Sequence, residues 1–384
     1  MSGATPAVVV LAVLAFTALG LPDAALGVAW PGLRDAFTQP QQGLGVVLAA
    51  VSVGFLVAGN AAAGLLARLG PGPLLAGATL LLAASLTGQA SAPTFALVLA
   101  ASALWGLGAG AIDAGLNGYA ARRFSRRHMN WLHAGYGLGT ALAPFVMTAG
   151  LALGAGWRGG YATIAALLAA LAVLFWWTRH RWPAADAYAA AGAPGRGGLD
   201  ARAAGHLVAF FLYTGIEVSA GQWAFAVLHE ARGLGVEAAG VWTGLYWTSL
   251  FIGRVAVGFV ADRVATDRLV AAGVVGITAG AGLFWLLPGA GGAPGLVVLG
   301  LAAAPVFPML MTRTAERFPL AVARRLFGLQ VSAAMLGGVA LPWAAGAVAD
   351  ATALASIPAV LAVAATMLAL VVAVILRDGG AQAT

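Results

Sequence analysis

The chain has no cysteine and no lysine, and only 9% of its 384 residues are charged. Without cysteine it cannot form disulfides or thiolate metal sites. Without lysine it cannot form a Schiff base, and it lacks the phosphate-binding residue of Walker-type ATPases. Soluble domains average roughly a quarter charged residues. The scarcity of charge therefore argues against a water-soluble protein, and the sequence predicts no enzyme, no metal site and no cofactor.

Hydrophobic residues make up 61% of the chain and are arranged in long runs. Many runs reach about 18 residues, which is enough for a helix to cross about 30 Å of hydrocarbon. In lipid the backbone must satisfy its own hydrogen bonds, and these runs lack the roughly ten-residue apolar and polar alternation of transmembrane strands. The sequence therefore predicts an all-α polytopic membrane protein.

Proline and glycine clusters divide the apolar sequence into twelve predicted spans. The clusters "GPGP" at 70–73 and "LPGAGGAPG" at 287–295 are typical of helix ends. The predicted spans are 6–30, 42–67, 71–90, 93–121, 130–153, 158–179, 203–228, 237–261, 268–288, 293–316, 322–349 and 353–376.

One long polar interruption, 178–205, is rich in Ala, Gly, Pro and Arg and has the composition of a flexible linker. It divides the chain into an N-terminal six-helix bundle at 1–182, a cytoplasmic linker at 183–202 and a C-terminal six-helix bundle at 203–384.

Arginine placement predicts the orientation in the membrane. Sixteen arginines lie in the even-numbered loops, the linker and the C-terminal tail, whereas Arg34, Arg158 and Arg232 lie on the opposite side. The positive-inside rule then places both termini in the cytoplasm of a multi-pass protein of the plasma (bacterial inner) membrane. This placement also explains the net charge of +7 without nucleic acid as a partner.

Three acidic residues, Asp23, Asp113 and Glu217, lie within predicted spans. A carboxylate in hydrocarbon costs at least a few kcal/mol, so each must face a cavity or a partner. Burial also favours the neutral form, so such a group can load a proton on one side of the membrane and release it on the other. We predict that these residues couple transport to protons. The alternative is a structural acid that fixes helix packing.

The two halves resemble each other around these acids. Span 1 carries "GLPDAALGVAW" and span 7 carries "GIEVSAGQW", and aligning Asp23 with Glu217 brings Gly27 onto Gly221. Two six-span halves in parallel repeat, with a midplane cavity between them, are an architecture typical of transporters.

Neutral polar and aromatic residues near the acids are candidates for substrate binding. A carbohydrate needs amides and carboxylates for its hydroxyls and an aromatic face for its C–H surface. Packing is an equally good interpretation of a lone histidine, and Gln222 meets Glu217 only if the helix unwinds at Gly221. The candidates are Asn117, His133, Tyr136, Gln222, Trp223 and Gln330.

The segment "GRVAVGFVADR" at 253–263 resembles the signature that follows span 8 in the major facilitator superfamily. Within that superfamily, the chain is most similar to the fucose–proton symporter group. The segments that carry this resemblance are "PDAALGVAWP" in span 1, "GLGAGAIDAGLNGY" in span 4, "NWLHAGYGLGTALAP" in span 5, "YTGIEVSAGQW" in span 7 and "APVFP" in span 10.

The resemblance implies the major facilitator fold and proton-coupled import of a monosaccharide or a similar small polar solute by alternating access. In the fucose group, acids in spans 1 and 4 act in proton coupling and sugar recognition, and Asp23 and Asp113 occupy matching places. Many relatives also carry an acid at the place of Glu217. The group has an amide near the position of Tyr136, so this departure leaves the sugar open.

The resemblance also implies a gate of charged residues at helix ends. Asp262, Arg263 and Arg254 would pair in one conformation and separate in the other. In the first half, "GLLARLGPGP" keeps Arg68 but lacks the acid that the superfamily usually has there. A solvated charge cluster is the alternative interpretation.

Other functions remain open from the sequence. The nearest rival is a proton-driven efflux antiporter for drugs or metabolites, and sodium is an alternative coupling ion. The expected partners are a small-molecule substrate, a coupling proton and the lipid bilayer, and we expect a monomer.

Overall fold

A computed structural model describes residues 5–182 and 200–377, and within these ranges every regular element is a helix. Twelve helical segments of the described residues, one of them made of two consecutive helices, are long and apolar enough to cross a membrane. The prediction of an all-α protein with twelve spans is confirmed. Most of the predicted linker, 183–199, lies outside the described residues, and the helix that follows it already begins at Ala201.

The described residues form two compact units. The first unit contains 5–39 and 46–182, and the second contains 40–45 and 200–377. Residues 40–45 belong to the second unit, where the Asp350 carboxylate accepts the backbone N–H groups of Gln41 at 2.7 Å and Gln42 at 3.0 Å. The predicted domain boundaries otherwise stay a prediction.

Six spans belong chiefly to the first unit and six to the second. The first set is α1 Pro6–Ala36, α2 Gly43–Leu69, α3 Pro71–Ser91, α4 Phe95–Arg123, α5 Arg126–Ala152 and α6 Gly156–Trp177. The second set is α7 Ala201–Ala226, α8 Val236–Val260, α9 Thr266–Leu286, α10 Ala293–Ala303 with α11 Val306–Arg317, α12 Leu320–Ala351 and α13 Ile357–Arg377.

Glycines let helices pack at backbone contact within each unit. In the first unit, a Cβ on Gly139 of α5 would overlap the carbonyl oxygen of Thr17 in α1. In the second unit, a Cβ on Gly337 of α12 would overlap the carbonyl oxygen of Phe211 in α7. Close approach through small residues is the usual way for helices to associate in lipid. The first and fifth spans of both units are joined in this way, as expected for a repeat.

The tenth span is interrupted, which the sequence analysis does not predict. A turn at Ala304 and Pro305 separates α10 from α11, inside the segment "APVFP". Pro305 and Pro308 have no N–H, so neither donates the usual i to i−4 hydrogen bond. The predicted span 293–316 therefore contains two shorter helices, α10 and α11.

Span 7 does not unwind at Gly221, which was the condition under which Gln222 would meet Glu217. Helix α7 runs unbroken through this position, from Ala201 to Ala226. The missing side chain is used for packing, because a Cβ on Gly221 would overlap the indole ring of Trp247 in α8. In the same way α1 is one continuous helix through Pro22, which lies inside it.

Candidate functional site

The first unit joins Asp23 to Tyr136. Asp23 lies near the middle of α1, and the Tyr136 hydroxyl of α5 donates to its Oδ2 at 2.8 Å. Both side chains are partly buried. The glycine contacts between α1 and α5 bring the two helices close enough for this bond. A carboxyl group in an apolar span thus has a polar partner on the neighbouring helix.

The second acid of this unit, Asp113, lies on α4. The Asn117 side chain donates to its Oδ1 at 3.1 Å, as helical periodicity allows for two residues four positions apart. Helix α4 contacts α1 within the unit, so the first unit brings two acid-bearing spans together.

His133 lies on the same side of α5 as Tyr136. Its ring meets the Phe16 ring of α1 edge to face, with centroids 5.5 Å apart. The histidine side chain is exposed in the described structure, whereas Tyr136 is half-buried. His133 is thus placed beside the α1–α5 contact, and its part in substrate binding stays a prediction.

The second unit surrounds Glu217 with donors. Arg254 Nη2 of α8 lies 3.0 Å from Glu217 Oε1, and the two side chains are 29% and 12% exposed. The Tyr213 hydroxyl, one helical turn before Glu217, also contacts the carboxylate and lies 2.9 Å from the Ala303 carbonyl oxygen. Tyr246 donates to the Glu217 backbone carbonyl at 2.6 Å. The Glu217 carboxylate thus has two side-chain partners, and its backbone carbonyl has a third.

Arg254 lies within α8, about two helical turns before Asp262, so it is not adjacent to the other predicted gate residues of this helix end. Its part in the gate stays a prediction. An arginine at that depth needs a partner, and Glu217 supplies one.

Three other predicted substrate-binding residues are enclosed within the second unit. Gln222, Trp223 and Gln330 are each at most 3% exposed. Trp223 Nε1 donates to the Pro342 carbonyl at 3.2 Å, and Gln330 Nε2 donates to Thr314 Oγ1 at 2.7 Å. Their contacts in this structure are those of packing residues, and a role in substrate binding stays a prediction.

The predicted gate residues at helix ends are exposed. Arg68 lies in the last turn of α2, and Asp262 and Arg263 follow α8. Arg263 Nη1 donates to the Phe259 carbonyl at 3.2 Å. The ion pairs nearby instead join Asp267, in the first turn of α9, to Arg313 and Arg317 of α11. The gate stays a prediction.

Sequence reasoning missed Tyr213 and Tyr246 as partners of Glu217. Tyr213 could have been found from its spacing, because a residue four positions before an acid shares its helix face. Tyr246 gives no such signal. Its contact depends on how α7 and α8 pack, and its fully buried ring is indistinguishable by sequence from a core aromatic.

The sequence profile of the Major Facilitator Superfamily matches residues 9–342, which is most of the chain. No curated protein matches the sequence of this chain.

Solved structures share the fold at low sequence identity. The D-xylose–proton symporter has a TM-score of 0.73 and 16% identity, covering 94% of this chain and 96% of its own. A variant of the nucleoside transporter NupG has a TM-score of 0.77 and 14% identity, covering 95% and 98%. A variant of the E. coli fucose:proton symporter FucP has a TM-score of 0.63 and 16% identity, covering 97% and 98%.

Proposed function

We propose that this chain, which belongs to the major facilitator superfamily, imports a monosaccharide or a similar small polar solute together with a proton. Members of the superfamily are membrane transporters rather than enzymes, so the substrate is carried across and released unchanged. Similar folds among solved structures include a xylose–proton symporter and a fucose–proton symporter. At such low identity this likeness concerns the fold, so the proposal depends on the residues of this chain.

The observation that supports the proposal best is the pair of acids in the first unit. Asp23 and Asp113 lie within apolar spans, and each accepts a hydrogen bond from a neutral side chain, Tyr136 or Asn117. Hydroxyl and amide groups of this kind also bind the hydroxyls of a sugar. A proton and a polar substrate can therefore be bound by one set of side chains, which makes the binding of each depend on the other.

Glu217 is the third proposed coupling residue. Its carboxylate forms an ion pair with Arg254, with Glu217 Oε1 and Arg254 Nη2 3.0 Å apart, whereas Asp23 and Asp113 accept hydrogen bonds from neutral side chains. We therefore propose that Asp113 and Asp23 carry the proton and that Glu217 takes part in coupling through its ion pair with Arg254.

The proposed orientation follows from the arginine distribution. The ends of α2, α4, α6, α8 and α11, with the C-terminal end of α13, face the arginine-rich side, which we assign to the cytoplasm. Both termini would then be cytoplasmic. A cysteine introduced at position 3 of this cysteine-free chain should react with an impermeant maleimide only after the membrane is opened.

The transport proposal is tested by uptake into proteoliposomes. An inward pH gradient should drive accumulation of at least one labelled monosaccharide above equilibrium, and a protonophore should collapse it. Adding sodium at fixed pH should not change the amount of sugar that accumulates. Accumulation that needs sodium would assign a sodium symporter. Extrusion of a lipophilic cation, with no sugar accumulated, would assign an efflux antiporter and end the symport proposal.

A further inference from the structure

The first unit contains a groove of about 300 Å³ between α3 and α4. Small side chains line it, among them Ala84 and Gly88 of α3 and Ala100 of α4. Leu97 and Leu104 of α4 also line it and are 50% and 40% exposed. Lipid tails are as apolar as leucine, so exposed leucines of a membrane span lie against lipid. The groove therefore opens toward acyl chains.

The groove runs from the level of the lipid headgroups into the hydrocarbon. Helix α3 has 21 residues and spans about 31 Å, which is close to the thickness of the hydrocarbon layer. The end of α3 at Ser91 therefore lies near the headgroups. The groove follows α3 from Ser91 back to Ala84, a distance of about 10 Å. One acyl chain can follow it while the headgroup stays at the end of α3.

A guanidinium group lies at the headgroup end of the groove. Arg158 Nη1 of α6 donates to the backbone carbonyls of Ala90 at 3.0 Å and Ala92 at 3.4 Å, and Ala92 lines the groove. Arg158 is exposed. Within the described residues, its Nε and Nη2 form no hydrogen bond and no carboxylate pairs with it. Three N–H donors of this side chain thus remain for a ligand.

Aromatic rings hold Arg158 in this place. Its guanidinium carbon lies 4.3 Å from the centroid of the Trp157 ring and 5.7 Å from that of the Phe37 ring. Phe37 also contacts the ring of Phe95, the first residue of α4, with centroids 6.4 Å apart. Contact with ring faces stabilises the cation. The guanidinium is therefore fixed beside the junction of α3 and α4, where the groove begins.

We propose that this groove binds a phospholipid, with its phosphate on Arg158 and one acyl chain between α3 and α4. Guanidinium donors bind a phosphate group through two parallel hydrogen bonds. No charged residue lines the groove itself. Binding should therefore depend on the phosphate and the chain, and not on the net charge of the lipid. This site is independent of what the transporter carries.

Native mass spectrometry of the full chain in detergent, titrated with single lipids, tests the need for a phosphate. Phosphatidylcholine and phosphatidylglycerol should bind equally within about threefold, and each at least about tenfold tighter than diacylglycerol with the same chains. Diacylglycerol bound as tightly as the phospholipids would overturn the phosphate contact. Binding of phosphatidylglycerol alone would show attraction to the net charge of the protein and would overturn the proposal.

The arginine is tested by Arg158→Gln. This variant should bind phosphatidylcholine roughly 10- to 100-fold more weakly, the range for one hydrogen bond to a charged group. It should keep its affinity for diacylglycerol, because the groove is unchanged. The matched control is Arg34→Gln, which removes a guanidinium that pairs with Asp35 in the same unit and should leave binding unchanged. Equal loss in both variants, or loss of diacylglycerol binding in Arg158→Gln, would overturn the role of Arg158.

The groove is tested by Ala84→Leu, which places a larger side chain in its wall. This variant should bind both phosphatidylcholine and diacylglycerol about tenfold more weakly. The matched control is Ala166→Leu, the same change at an exposed position of α6 outside the groove, which should leave binding unchanged. Equal effects of the two changes would overturn the site. Displacement of phosphatidylcholine by an equal concentration of inorganic phosphate would assign Arg158 to a soluble anion instead of a lipid.

Discussion

The two units use the same packing and different electrostatics. In each, glycine brings the first and fifth spans to backbone contact, at Gly139 in one and at Gly337 in the other. The acids of the first span of each unit, Asp23 and Glu217, nevertheless have different partners. Asp23 accepts from the neutral Tyr136, whereas Glu217 pairs with the guanidinium of Arg254. A repeat can thus conserve the way helices meet while assigning different chemistry to its carboxyl groups.

The largest effect is expected at Asp113. Asp113→Asn keeps the shape of the side chain and its contact with Asn117 but cannot gain or lose a proton. Accumulation driven by a pH gradient should be abolished, while exchange of substrate at equal pH persists. The matched control is Asp35→Asn, which removes an exposed acid of the same unit beside Arg34. Unchanged accumulation in Asp113→Asn would make this acid structural and would remove the proposed difference between the units.

The ion pair of the second unit should dominate stability. Arg254→Gln leaves the Glu217 carboxylate partly buried without its guanidinium, so the free energy of unfolding should fall by about 3–5 kcal/mol. Glu217→Gln in the same chain should recover most of the loss, because the charge is then gone. Unfolding in mixed micelles measures the stability of the single and the double variant. A double variant no more stable than Arg254→Gln would show that packing, and not charge, causes the loss.

The glycine contacts should contribute similar amounts to the free energy of unfolding in the two units. Gly139→Ala and Gly337→Ala each force a methyl group against a neighbouring backbone, and each should cost about 1–3 kcal/mol. Gly59→Ala is the control, because its position on α2 faces open space and alanine is the better helix former there. A large loss of stability for one of these two variants and none for the other would show that the two units do not pack equivalently.

The smallest expected effect is at Tyr136. Tyr136→Phe removes one hydrogen bond to Asp23 and keeps the ring, so the free energy of unfolding should fall by about 0.5–1.5 kcal/mol. Tyr213→Phe makes the same change beside Glu217, where Arg254 remains. Comparing initial uptake rates against pH in the two variants separates the units further: the pH profile should shift in Tyr136→Phe and stay in Tyr213→Phe. The opposite pattern would place proton uptake in the second unit.

The features predicted correctly from sequence are those fixed by local composition. Span lengths follow from apolar runs, and the shared face of Asp113 and Asn117 follows from helical periodicity. The partner of Arg254 could not be predicted, because it depends on the contact of α7 with α8. The role of Gly221 could not be decided for a related reason: a glycine gives the same sequence signal whether it breaks a helix or admits a neighbouring ring such as Trp247.

The Tyr213 hydroxyl has a further consequence for span 10. It has one proton to donate and two acceptors within reach, the Glu217 carboxylate and the carbonyl of Ala303, the last residue before the helix interruption. One hydroxyl proton cannot satisfy both acceptors fully, so a change at either acceptor alters the hydrogen bond to the other. The side chain of a residue in span 7 is thereby linked, through a single hydroxyl, to the point where span 10 is interrupted.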